Sequence, residues 1–211
     1  MALRLALYSD QIAPLTDSID ERLFSMLPKK PTIGYLPSSP DPDRSWFWPQ
    51  ANYYSRRGAS LRFFGLESEF QPRAIPELLS CDAIHLTGGN TFQFQYWLRQ
   101  RGMIDHLREY AACGGVLIGV SAGAILMTPD ISTSYLCGDL PYTGVEEYAG
   151  LGLVDFAFVP HFDGPPGANR DVTNFAKRFG GRVYTVPDGG GIIIDGDQCV
   201  HFGDVRCLLL G

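Results

Sequence analysis

The stretch Gly114-Gly115-Val116-Leu117-Ile118-Gly119-Val120-Ser121-Ala122-Gly123-Ala124-Ile125-Leu126-Met127 decides the fold. Val116–Val120 is a short apolar run bounded by glycine and reads as a buried strand. Ala124-Ile125-Leu126-Met127 reads as the start of an apolar helix. Between them lies Gly-x-Ser-x-Gly, a sharp strand-to-helix turn. Glycine is needed at the flanks because such a turn crowds the backbone around the serine, which sits strained with its Oγ exposed. The N–H groups that follow open a helix and can face a developing oxyanion. A plain glycine-lined turn with a serine N-cap fits the same residues.

The strand–helix alternation continues on both sides of this turn. Leu3–Tyr8, Thr32–Leu36, Ser60–Phe64 and Ala83–Leu86 read as further buried strands. Asp17–Met26, Arg44–Ser55, Thr91–Arg101 and Ile104–Ala112 read as helices. This order predicts a doubly wound, mostly parallel α/β sheet with helices on both faces. In such sheets the chemistry sits at the carboxyl ends of the strands.

Past residue 128 the pattern changes. Pro129–Gly150 reads as a long excursion, Leu151–Val159 as a strand and Arg170–Phe179 as a helix. Arg182–Val186, Gly191–Asp195, Cys199–Phe202 and Val205–Leu210 read as antiparallel C-terminal strands, with Asp195-Gly196-Asp197 as a hairpin turn. The whole chain, 1–211, reads as a single α/β domain.

Composition narrows the function. A chain of 211 residues, 45% hydrophobic, can bury roughly 70% of its unfolded surface without staples. Seventeen Lys+Arg against 23 Asp+Glu, with no long basic run, argue against nucleic acid as a partner. Five cysteines without a CxxC pair argue against a disulfide framework or a Cys-rich zinc site, and point to reduced thiols in the cytoplasm. No apolar run approaches the ~20 residues of a membrane span, and the N-terminus reads as a first strand, not a signal peptide. No metal or organic cofactor is expected.

A nucleophilic serine needs a base. His85 lies within an apolar strand and reads as a core histidine, and His106 lies on a helix face. His161, in Pro160-His161-Phe162-Asp163-Gly164, follows a strand, where a base belongs. His201, in a C-terminal strand, is the alternative. Asp188, in the turn Val186-Pro187-Asp188-Gly189, is preferred as the group that orients the imidazole, although Pro-Asp-Gly also makes ordinary turns. Thr87-Gly88-Gly89-Asn90-Thr91 follows another strand, and its backbone N–H groups can approach a ligand closely. Trp46, Phe47, Trp48, Tyr53 and Tyr54 form an aromatic cluster read as core.

Thr87-Gly88-Gly89-Asn90-Thr91-Phe92, Gly119-Val120-Ser121-Ala122-Gly123-Ala124, Pro160-His161-Phe162 and Pro187-Asp188-Gly189 together resemble the peptidase E (aspartyl dipeptidase) family of serine peptidases, to which cyanophycinase is related. The resemblance implies a fold like that of class I glutamine amidotransferases. It implies Ser121 as nucleophile, His161 as base and Asp188 as third member. It also implies Gly89 and Ala122 N–H groups as the oxyanion hole, and Asn90 and Arg170 as substrate-binding residues. The expected reaction is hydrolysis of small peptides with N-terminal Asp, by a monomer or homodimer.

Three differences from the family pattern bear on this expectation. Asp188 stands where better-known members have Glu. The segment 129–139 lacks a Thr-Asn-Asp-Met-Pro-like stretch. The His161–Arg170 loop is short. Two other readings remain open: an α/β-hydrolase-type esterase using Ser121, Asp188 and His201, and a non-catalytic relative that binds acidic ligands.

Overall fold

A computed structural model describes residues 2–142, 144 and 147–209. Its strands are β1 (Arg4–Tyr8), β2 (Thr32–Leu36), β3 (Ser60–Phe63), β4 (Ala83–Leu86), β5 (Val116–Val120), β6 (Phe156–Val159), β7 (Arg182–Thr185), β8 (Gly191–Asp195), β9 (Gln198–Phe202) and β10 (Arg206–Leu209). Its helices are α1 (Asp17–Ser25), α2 (Phe47–Ser55), α3 (Ile75–Leu79), α4 (Thr91–Gln100), α5 (Met103–Ala112), α6 (Ala122–Leu126) and α7 (Arg170–Phe179).

The main sheet has seven strands in the order β3-β2-β4-β5-β1-β8-β9. The first five strands of the chain pair in parallel, so their carboxyl ends share one edge. Because side chains alternate across a strand, each central strand feeds two cores. Leu5, Leu7, Ile84 and Leu117 pack with Phe92, Leu98 and Leu107 of α4 and α5. Ala6, Tyr8, Ile118 and Val120 pack on the other face with Ile19 and Leu23 of α1 and Tyr54 of α2. Both faces of the sheet are covered, as expected for parallel strands this apolar.

The C-terminal strands divide, contrary to the single antiparallel tail expected. β8 and β9 form the predicted hairpin and extend the main sheet antiparallel beside β1. β7 leaves it, pairing in parallel with β6 and antiparallel with β10 in a second, three-stranded sheet. The expected strand Leu151–Val159 shortens to Phe156–Val159. The N–H groups of Leu151 and Leu153 donate to the carbonyls of Leu126 and Met127, finishing α6 rather than entering a ladder.

The expected helix Arg44–Ser55 begins only at Phe47. Arg44 has φ 61°, and the Asp41 carboxylate accepts from the N–H groups of Trp46 and Phe47 to start the helix there. Within the expected excursion Pro129–Gly150, Ile131–Cys137 form a 3₁₀ helix, while residues 143, 145 and 146 lie outside the described residues. So does Leu210, the last residue of the expected final strand. No helix among the described residues is long and apolar enough to cross a membrane.

Candidate active site

Ser121 stands between β5 and α6 with φ 51° and ψ −107°. A non-glycine residue in such a conformation costs about 1–3 kcal/mol. The flanking strand offsets this, since burying one Val or Ile side chain contributes roughly 1.5–3 kcal/mol, and Ile118 and Val120 are both buried. The Ser121 N–H donates to the Tyr8 carbonyl, and the Ser121 carbonyl accepts from Ala124 and Ile125. The turn needs glycine at its far flank, where a Cβ on Gly123 would overlap the Leu86 carbonyl of β4. The close approach of β4 to the elbow thus depends on Gly123.

His161 and Asp188 reach Ser121 from the second sheet. Parallel pairing of β6 with β7 brings the two carboxyl ends together, and His161 and Asp188 follow those ends by two and three residues. His161 Nε2 lies 2.8 Å from Ser121 Oγ, and His161 Nδ1 lies 2.6 Å from Asp188 Oδ1. The shorter acid therefore reaches the imidazole. His161 has φ 57°, a second strained residue at the site.

A residue that sequence reasoning missed, Ser9, ties the arrangement together. Its Oγ accepts from the His161 N–H at 2.8 Å and donates to Asp188 Oδ1 at 3.2 Å. Ser9 is fully buried and follows β1 directly, so the strand-end rule pointed to it, but its type alone did not.

The Gly-Gly turn after β4 abuts Ser121: a Cβ on Gly88 would lie 3.6 Å from that of Ser121. Ser38, also missed in the sequence, clamps this turn. Its N–H donates to Thr87 Oγ1 at 2.9 Å, and its Oγ donates to the Gly88 carbonyl at 2.6 Å. In a planar trans peptide the next N–H points opposite to the carbonyl. Ser38 thereby turns the Gly89 N–H away from itself. Gly89 has φ 126°, and any Cβ there would collide with Ser38 Oγ. Among the described residues the Gly89 and Ala122 N–H groups donate to no protein acceptor.

A family model described as peptidase family S51 matches residues 7–204. The chain belongs to peptidase family S51. It is a serine-type peptidase of the peptidase E family. It is 26% identical over 175 residues to the uncharacterized peptidase Lmo0363 of Listeria monocytogenes serovar 1/2a, covering 80% of this chain and 84% of that one. It is 33% identical over 98 residues to peptidase E of Escherichia coli O1:K1 / APEC, covering 46% of this chain and 41% of that one. The crystal structure of a peptidase E candidate from Listeria monocytogenes EGD-e superposes with a TM-score of 0.76 at 22% identity, covering 99% of this chain and all of that one.

The S51 peptidase uses its other expected residues in different ways. Asn90 caps α4: its Oδ1 accepts from Gln93 N–H, and its Nδ2 donates to the Leu140 carbonyl. Asp139 completes this strut by accepting from Thr91 N–H at 2.8 Å. The segment after the elbow is thus tied to the Gly-Gly turn. Arg170 opens α7, is exposed, and has no ion-pair partner among the described residues.

His201 packs edge-on against Tyr184 in β7, and its Nε2 faces Cys199. It is not the base at Ser121, so the esterase reading loses its histidine. Asp188 contacts His161, so the ground for a degraded, non-catalytic site is also gone. His85 is buried as expected. The aromatic cluster is split: Phe47 and Tyr54 are core, but Trp46 and Trp48 are exposed. All five cysteines are free. Among the described residues no three His, Cys, Asp or Glu side chains are grouped to hold a metal ion.

Proposed function

We propose that this peptidase hydrolyses small peptides, foremost dipeptides with N-terminal Asp, through an acyl-enzyme on Ser121. The observation that carries the reading is His161 held between Ser121 Oγ and Asp188 Oδ1. His161 Nε2 takes the Ser121 proton as Oγ attacks the scissile carbonyl. Asp188 keeps the proton of Nδ1 in place and stabilises the imidazolium that forms. The carbonyl oxygen becomes an oxyanion and accepts from the Gly89 and Ala122 N–H groups. His161 then protonates the leaving amine, and water resolves the acyl-enzyme by the same steps in reverse order.

Arg170 pairs with the side-chain carboxylate of the substrate. A guanidinium suits this because its planar fork matches a carboxylate with two parallel hydrogen bonds. The reading includes a single α/β domain working in the cytoplasm, as a monomer or homodimer. Its substrate part is tested by comparing Asp-Leu with Ala-Leu in the parent and in Arg170→Met. The expected result is a preference for Asp-Leu that falls about 10- to 100-fold in the variant, the scale of a lost charged hydrogen bond. An equal preference in both proteins would remove Arg170 from the account, and a parent that does not prefer Asp-Leu would remove the acidic substrate.

A further inference from the structure

Beside Ser121, toward α2, a cavity of about 460 Å³ opens, and Gly88, Gly89 and Val120 form the wall it shares with the nucleophile. Trp46, 72% exposed, stands at the mouth, and His85, 3% exposed, lies at the buried end with Tyr35 stacked on its ring. A chain of hydrogen bonds fixes the proton on His85. Gln50 Nε2 donates to Gln11 Oε1 at 2.5 Å, which turns Gln11 Nε2 onto the Tyr54 hydroxyl at 3.2 Å. The phenol accepts there, and its own hydrogen has two acceptors in reach, His85 Nδ1 at 2.7 Å and Gln11 Oε1 at 3.5 Å; the shorter contact takes it, since Gln11 Oε1 already accepts from Gln50.

Burial lowers the His85 pKa to about 3, so the ring is neutral. A neutral imidazole that accepts at Nδ1 carries its proton on Nε2. Tyr54 is the one hydrogen-bond partner of the His85 side chain among the described residues. The Nε2–H is therefore a donor with no acceptor among the described residues, on a side chain that lines the cavity.

The charges of the cavity complete its chemistry. Among the described residues no Lys or Arg lines it. Asp41 is occupied by the start of α2, whereas Asp10 is half-buried and, among the described residues, bonded only to the N–H of Gln11. A carboxylate is repelled there. A carboxamide matches both groups, since its carbonyl accepts from His85 and its NH₂ donates to Asp10.

We propose that this cavity receives the side chain of the residue after the scissile bond, and that His85 Nε2–H selects Asn or Gln there. This rests on the proposed function in one respect: Arg170, which is not among the lining residues, takes the N-terminal Asp and leaves the cavity to its neighbour. Leu in this position gives that donor no acceptor, and Glu sets a second carboxylate near Asp10.

The test uses the full chain with Asp-Gln, Asp-Leu and Asp-Glu. The parent is expected to rank them in that order by kcat/KM. The ratio of Asp-Gln to Asp-Leu falls about tenfold in His85→Phe, the scale of one lost hydrogen bond. Tyr54→Phe, which removes the hydroxyl that sets the tautomer, lowers the same ratio. A ratio unchanged in both variants overturns the proposal.

Long-range ¹H–¹⁵N correlation spectra of Ser121→Ala protein give a readout that needs no turnover. His85 is expected to be protonated at Nε2, with a signal that moves on addition of Asp-Gln and not of Asp-Leu. Protonation at Nδ1, or no response to Asp-Gln, overturns the proposal. If the parent cleaves none of the three dipeptides, the peptidase substrate reading falls, and the His85 signal still decides for or against the subsite.

Discussion

Ser9 shows how much of this site rests on a hydroxyl that is bonded to His161 and Asp188 and not to Ser121. His161 and Asp188 are 39% and 51% exposed, so their mutual attraction is screened by water and does little to fix geometry. Ser9 supplies the order by holding the backbone of one and the carboxylate of the other. Ser9→Ala is therefore expected to lower kcat about tenfold with little change in KM, the size of one or two lost hydrogen bonds. Steady-state kinetics on an Asp-linked amide check this, and a change confined to KM would count against it. The convergence of Ser121, His161 and Asp188 was legible because each follows a buried strand and each carries a side chain suited to the role proposed for it. Ser9 and Ser38 also follow strands, but serine at a strand end is ordinary turn chemistry. Only the partners reached across the fold distinguish them.

At the scale of elements, the site is a convergence of strand ends. β1, β4 and β5 bring Ser9, the Gly-Gly turn and Ser121 to one edge, and β6 with β7 deliver His161 and Asp188 from the second sheet. The seam between β4 and α6 depends on Gly123. Gly123→Ala is expected to destabilise the protein by about 1–3 kcal/mol, as overpacking does. Thermal or denaturant unfolding would show this, and an unchanged midpoint would mean that the seam is looser than described.

The parallel core was legible because its strands alternate with amphipathic helices in sequence. The second sheet was not, because its strands were visible as apolar runs while their partners were not. Pairing Phe156–Val159 with Arg182–Thr185 across α7 is a long-range choice that a local pattern does not encode. Trp46 and Trp48 misled for a related reason: aromatic residues next to a helix start read as core, yet α2 turns both toward solvent.

On the scale of the whole molecule, His85 links the cavity to stability. The unfolded chain takes up a proton on this histidine below about pH 6.5, whereas the folded chain does so only near 3. Between those values the unfolded state binds more protons, so stability rises with pH and is lost as pH falls. Relative to His85→Phe, the parent should lose about 1.4 kcal/mol per pH unit between pH 6 and 4. Chemical denaturation at a series of pH values reads this slope, and parallel profiles would show that His85 is protonated within the fold.

The S51 fold gathers residues from both ends of the chain, Ser9 to Asp188, around a single hydroxyl. The most direct test is turnover of an Asp-linked chromogenic amide by parent and Ser121→Ala proteins of equal thermal stability. The account predicts clear turnover by the parent and a loss of kcat on the order of 10³-fold or more in the variant, as when a triad nucleophile is removed. Equal turnover by the two proteins would contradict it.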